Sequence, residues 1–223
     1  FIPLFFLAIL KISKGQKSWW ILGGLISAYG LAAGETQIVF YTLVIGFFWS
    51  LFLRFEVKTW KPILGYFFII ATGAVLASFW LLPVLNYLKF TVRGVGLSFQ
   101  DLAFDFMRTA DPLRFFYPYI QLPQFTGFES LGIVPNYYIG ALTILLAIAA
   151  MFLFRKNPPP FGKNKGWGVI DFWSGVAVFS FLVRIKWTGI FWVLHFLPGF
   201  DRFRGVFHWS YIGTFALALL AGF

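Results

Sequence analysis

The chain has 223 residues and a formal charge of +10; 60% of it is hydrophobic, 23% aromatic and only 12% charged. Soluble domains run at about 45–50% apolar and about 25% charged. This composition, with a mean hydropathy of +0.80, therefore excludes a water-soluble enzyme, a disordered tail and a nucleic-acid module.

A helix needs about 20 apolar residues to cross about 30 Å of hydrocarbon. On that template Phe1–Leu10 reads as the end of a spanning helix, and Trp19–Ala33 and Ile38–Leu53 read as the next two. Pro62–Leu88 is long enough for about 40 Å of helix, so it should tilt or protrude. Asn136–Phe154, Gly168–Val183 and Trp209–Phe223 follow, while Trp187–Leu197 is too short to span and fits an interfacial or re-entrant segment. The expectation is an all-α, polytopic transmembrane bundle of about seven spans or part-spans. It forms a single domain over residues 1–223, and the chain reads as an internal piece truncated at both ends.

Charge placement sets the orientation. One set of alternate loops holds Lys11, Lys14, Lys17, Arg54, Lys58, Lys61, Arg155, Lys156, Lys163 and Lys165 against two acids, Glu56 and Asp171. The other holds eight cations, among them Lys89, Arg93, Arg184, Arg202 and Arg204, against six acids, including Glu35, Asp101, Asp105 and Asp201. Basic short loops stay cytoplasmic, so the first set is expected on the inner side of the membrane. The elaborate loops, 89–135 and 184–208, then face outward. Loops of more than about 15 residues are commonly functional, which puts the expected activity on the extracytoplasmic face. Inside, Pro158-Pro159-Pro160 reads as a bare connector.

The long outer loop carries its own helix signal. Ser98-Phe99-Gln100-Asp101 is a capping pattern, and Phe99, Leu102 and Phe106 recur at helical spacing opposite Asp101, Asp105 and Arg108. This reads as an amphipathic helix on the membrane surface. The Asp101/Asp105 pair could do acid/base work, but Arg108 beside it favours ordinary surface pairing.

Two outer clusters carry candidate chemistry. Gly34-Glu35-Thr36-Gln37 is a tight turn between two helices: either a solvated turn, or a place where Glu35 and Gln37 face a polar cavity as base or hydroxyl ligands. Asp201-Arg202-Phe203-Arg204 follows the turn Leu197-Pro198-Gly199-Phe200, with His208 one helical turn beyond. Guanidinium forks suit phosphate oxygens, so Arg202, Arg204 and His208 are candidates to hold a lipid phosphate, with Arg93 adding to the same site. Interfacial anchoring by snorkelling Arg is the competing reading. With no Cys and two His in the chain, neither a disulfide nor a metal centre is expected.

In order and spacing these patches resemble the YfhO-like family of bacterial multi-pass membrane proteins, which belong with the C-fold glycosyltransferases (GT-C). Gly34-Glu35-Thr36-Gln37 with Phe40-Tyr41 is similar to the family's Gly-His-Pro-Gln turn and following aromatic pair. Leu81-Leu82-Pro83 through Arg93-Gly94, Asp111-Pro112-Leu113-Arg114 with Tyr117-Pro118, Tyr138-Ile139-Gly140, and Leu197-Pro198-Gly199-Phe200 with Phe203-Arg204 resemble its later elements. Glu35 stands where the family often has His, and Gly205-Val206-Phe207-His208 replaces a Val-Pro-Ala-Arg-like stretch.

The resemblance implies a membrane glycosyltransferase. It would move a sugar from a polyprenyl-phosphate donor to an envelope acceptor such as a teichoic-acid-like polymer. It further implies Glu35 as a catalytic carboxylate, with Gln37, Arg93, Asp201, Arg202, Arg204 and His208 binding substrate. A further catalytic acid is expected before Phe1. No resident cofactor and no nucleic-acid partner is expected, and dependence on a divalent metal is left open. A transporter or flippase of lipid-linked substrates, and a non-catalytic subunit of an envelope assembly, are the alternatives; spans almost free of charge favour the enzyme over the transporter.

Overall fold

The computed structural model describes residues 1–33, 35–91, 94, 96, 139–153, 168–185, 188–202 and 208–223. These residues are helical throughout their regular structure. In chain order the helices are α1 (Ile2–Ser13), α2 (Ser18–Ala32), α3 (Thr36–Val57), α4 (Lys61–Leu76), α5 (Ser78–Leu88), α6 (Ala141–Leu153), α7 (Val169–Leu182), α8 (Ile190–His195) and α9 (Trp209–Ala221), with a 3₁₀ turn at Phe200–Arg202. The helix expected on the surface over residues 98–108, the triple-proline connector, Arg93 and Arg204 lie outside the described residues.

Contacts between rings and small residues fix the direction of each helix. Along α2 and α4 the pairs advance together: Gly23 meets Ile69, Gly24 meets Thr72, and Ser27 meets Gly73. The two helices are therefore parallel. A Cβ on Gly24 would lie 2.5 Å from the Thr72 methyl, and one on Gly73 would lie 2.6 Å from the Ser27 Cβ. Glycine is required at this crossing because the backbones approach too closely for a side chain, the packing mode of helices in lipid.

Helix α7 runs against α3: Trp49 and Phe52, late in α3, pack on Phe172 and Trp173, early in α7, at 5.1–5.3 Å. Helix α9 runs with α3, since Tyr41 near the start of one stacks on Trp209 at the start of the other. Phe6 of α1 joins the two groups of helices, edge-on to Trp173 at 5.0 Å and stacked on Phe215 at 5.4 Å.

The alternation gathers charge at two ends. Lys11, Lys14 and Lys17 close the α1–α2 turn, and Arg54, Lys58 and Lys61 close the α3–α4 turn, at the same end. There the Gly168 N–H donates to the Asp171 carboxylate at 3.0 Å, an acid placed on the first turn of α7 where the helix dipole favours it. Glu35, Arg184, Asp201, Arg202 and His208 fall at the opposite end.

The core is largely apolar, built from residues such as Phe5, Ile9, Ile69, Trp173 and Ile212, with Ser27, Thr42, Ser50 and Ser180 fully buried among them. Large apolar side chains also point outward: Ile21, Leu25 and Tyr29 on α2, Leu64 and Phe67 on α4, Leu142 and Phe152 on α6. Thr42 and Ser50 return their hydroxyls to carbonyls on their own helix, Ile38 O at 2.7 Å and Phe47 O at 2.8 Å, so these polar groups are satisfied without water.

One expectation changes. Residues 62–88 do not form one long helix: α4 and α5 meet at Ala77 and are bent by 82°. The Ala77 carbonyl accepts from both Trp80 N and Leu81 N, at 3.0 and 2.9 Å, so the ladder tightens to i+3 just where the direction changes. Pro83 then sits inside α5, lacking the N–H that would bond back to the carbonyl of residue 79. Among the described residues α3, with 22 residues, is by itself long and apolar enough to cross a membrane, and α4 with α5 passes as a bent pair. Helices α1, α2, α6, α7 and α9 are apolar but shorter than 18 residues. The short segment after residue 187 forms only the six-residue α8, too short to cross.

Candidate functional site

The site forms where α3 and α9 begin side by side. Glu35 is the residue before α3 and His208 the residue before α9. Parallel packing of the two helices brings these residues together across 173 positions of sequence, with Glu35 Oε2 3.9 Å from His208 Nε2. That separation is too long for a hydrogen bond and makes an electrostatic pair when the imidazole is protonated. Glu35 is 71% exposed and His208 16%, so the carboxylate faces outward while the imidazole backs it. Both helix N-termini aim their unpaired N–H groups at this spot, which favours negative charge there.

Beneath the pair lies a packed aromatic floor. Tyr41 stacks on Trp209 with centroids 4.4 Å apart and planes 19° off parallel. Phe200 lies over both, 6.0 Å from Tyr41 and 6.4 Å from Trp209. Stacking of this kind contributes about 0.5–1.5 kcal/mol per pair beyond burial. Gln37 is only 8% exposed, and its Nε2 donates to the Tyr41 hydroxyl at 3.0 Å. It forms part of the wall, two residues beyond Glu35.

Gly199 closes the 197–200 turn with φ +92°, which L residues with a Cβ rarely adopt, and its backbone rests on the Phe40 ring. That seating carries Phe200 onto the floor and leaves Asp201 and Arg202 at the rim. Arg202 Nη1 donates to the Gly94 carbonyl at 3.3 Å, and its Nε lies 4.0 Å from Asp201 Oδ1. The other Asp201 oxygen lies against Gly96. Gly94 and Gly96 therefore meet the 3₁₀ turn at the far side of the site.

Of the seven site residues named from the sequence, five are described, and the structure brings all five to one end: Glu35 and His208 as a pair, Gln37 beneath them, and Asp201 with Arg202 at the rim. Arg93 and Arg204 lie outside the described residues. Sequence reasoning left out Arg184, which follows α7 and is fully buried. Its Nη1 donates to Ser210 Oγ at 2.6 Å, next to Trp209. A lone cation after the apolar run 176–183 had the pattern of a membrane flank, and nothing local distinguishes a flank from a buried strut. Among the described residues no cluster of three or more His, Cys, Asp or Glu could hold a metal ion.

The arrangement offers an exposed carboxylate to accept a proton, an imidazole to tune it, and a guanidinium at the rim to meet an anion. No protein-family model matches this chain, and neither a curated protein nor a solved structure is significantly similar to it.

Proposed function

We propose that this chain is part of a multi-pass membrane bundle whose mixed-charge end transfers a sugar from a polyprenyl-phosphate donor to an envelope acceptor outside the cytoplasm. Large apolar side chains facing outward support the membrane reading, because water rewards their burial. The basic turns at the other end support the orientation, with that end cytoplasmic.

The meeting of Glu35 with His208, at the same end of the bundle as Arg202 and Asp201, carries the catalytic reading. Glu35 takes the proton of an acceptor hydroxyl, whose oxygen attacks the anomeric carbon. The bond from that carbon to the phosphate oxygen breaks, and the lipid phosphate leaves with the electron pair. Arg202, together with Arg204 and Arg93, meets the phosphate charge. Gln37 and Tyr41 hold the wall against which the sugar rests.

The test is transfer of radiolabelled sugar from polyprenyl-phosphate donors in membranes carrying the full protein. Arg204→Ala and Glu35→Gln should each abolish transfer while expression is unchanged; full activity in both variants sinks the assignment. Orientation is tested separately. The chain has no Cys, so single cysteines at positions 17 and 201 can be labelled in intact cells with an impermeant maleimide. Labelling at 201 alone is expected, and labelling at 17 alone reverses the proposed faces.

A transport function would want a broken helix lining a pathway, and the bend at Ala77 is such a break. None of the α5 residues is buried, however, which supports the transferase over the transporter.

A further inference from the structure

The basic end holds a second feature, at the turn between α3 and α4. Lys58 is the only non-glycine residue with positive φ among the described residues, at φ 52° and ψ 32°, a left-handed conformation rare for residues with a Cβ. It reverses the chain directly after α3 and folds Thr59 and Trp60 back over the last turn of that helix. The Arg54 guanidinium consequently lies 3.8 Å from the centroid of the Trp60 ring, with the Phe55 ring 5.3 Å away on its own helix. Stacking on an indole holds a guanidinium in one plane and leaves its N–H edge available. Among the described residues no carboxylate pairs with it.

Between these groups opens a cleft of about 390 Å³ lined by Arg54, Phe55, Lys58, Thr59 and Trp60. It offers two cations and a hydroxyl on a floor of two aromatic rings. Helix α4 starts at Lys61 with no side chain capping its first N–H groups, so the positive end of its dipole opens at the same turn. Phe55 and Trp60 are both more than half exposed, which places large apolar and interfacial groups at the mouth. Helix α3 is also, among the described residues, long and apolar enough to span by itself, so its C-terminal turn falls at headgroup depth when the helix is embedded.

We propose that this cleft binds the phosphodiester headgroup of an anionic membrane lipid, the phosphate meeting Arg54 and Lys58 and the acyl chains running down past Phe55. The proposal rests on the membrane reading above and is independent of sugar transfer. Free inorganic phosphate shares the headgroup's chemistry, but it has no use for exposed rings at the rim.

Native mass spectrometry of the full protein released from nanodiscs of mixed phosphatidylglycerol and phosphatidylcholine is the test. The expected result is about tenfold preferential retention of phosphatidylglycerol, abolished in Arg54→Ala. Lys58→Gly is the second variant, because glycine accepts the left-handed turn and keeps the fold while removing one cation; it should lose most of the preference. Equal retention of the two lipids, or a preference unchanged in both variants, overturns the proposal. So does displacement of the lipid by millimolar inorganic phosphate, which would mark the cleft as a free-phosphate site. Retention of the protein in carbonate-washed membranes is scored in parallel. A washed-out protein overturns this inference and the membrane reading together, whereas an embedded protein without lipid preference overturns this inference alone.

Discussion

The two ends of this bundle are built from similar residue types arranged to opposite effect. At the basic end the cations come from short turns and are neighbours in sequence: Arg54, Lys58 and Lys61 lie within eight positions. At the other end the polar residues come from three distant segments and meet only because α3 and α9 are parallel, which sets Glu35 beside His208. A local cluster survives small shifts of the helices. A cluster assembled from distant helices does not, so the mixed-charge end depends on packing in a way the basic end does not. Geometry-dependent chemistry belongs at the former, and charge-driven lipid contact belongs at the latter.

The largest effect should follow from removing the carboxylate. Glu35→Gln keeps shape and burial but cannot take a proton, and loss of a general base costs about 10²–10⁴-fold in rate. Lys17→Ala at the basic end is an exposed change worth about 0.5 kcal/mol or less, and transfer should stay within about twofold of the parent. Comparable losses in both variants, measured as initial rates of labelled-sugar transfer, would break the distinction between the ends.

Stability should divide the same way. Trp209→Ala empties a fully buried site beneath Tyr41 and Phe200, and truncating a buried aromatic costs about 3–5 kcal/mol. Trp60→Ala removes a ring that is 60% exposed, so its cost should be small by comparison. Denaturant titration in detergent, followed by loss of helical signal, reads both. Similar midpoints for the two variants would mean that the aromatic floor is not what holds the mixed-charge end together.

The frame common to both ends has its own sensitivity. At Gly24 even a methyl would lie 2.5 Å from Thr72, so Gly24→Leu must push α2 off α4. Overpacking of this kind costs about 1–3 kcal/mol, and the midpoint in the same titration should fall accordingly. An unshifted midpoint would show that α2 and α4 are not closely packed.

How much of this was legible in the sequence follows from what is local. The apolar runs placed α2, α3, α7 and α9 within a few residues of their observed bounds, because hydropathy and helix length are properties of one segment. Alternating basic turns gave the two ends for the same reason. The bend at Ala77 was not legible: hydropathy counts residues and says nothing about direction, and the run 62–88 contains no residue that stops a helix at position 77. Pairing was not legible either. Glu35 and His208 were each suspected, but in separate clusters, since nothing in either segment encodes that α3 and α9 begin side by side. Arg184 carried the composition of a flank and became a buried partner of Ser210 only through packing of α7 on α9.

The smallest change separates the polar wall of the site from its packing. Tyr41→Phe leaves the ring that stacks on Trp209 at 4.4 Å and removes only the hydroxyl that accepts from Gln37 at 3.0 Å. A net hydrogen bond contributes about 0.5–1.5 kcal/mol. If the floor works by packing, the loss stays within that range and sugar transfer falls only slightly. If the Gln37–Tyr41 pair positions the sugar, KM for the donor rises while the unfolding midpoint barely moves. Measuring both on one variant tells a structural floor from a binding wall. A drop as large as that of Trp209→Ala would mean that the hydroxyl, and not the stack, ties α3 to α9.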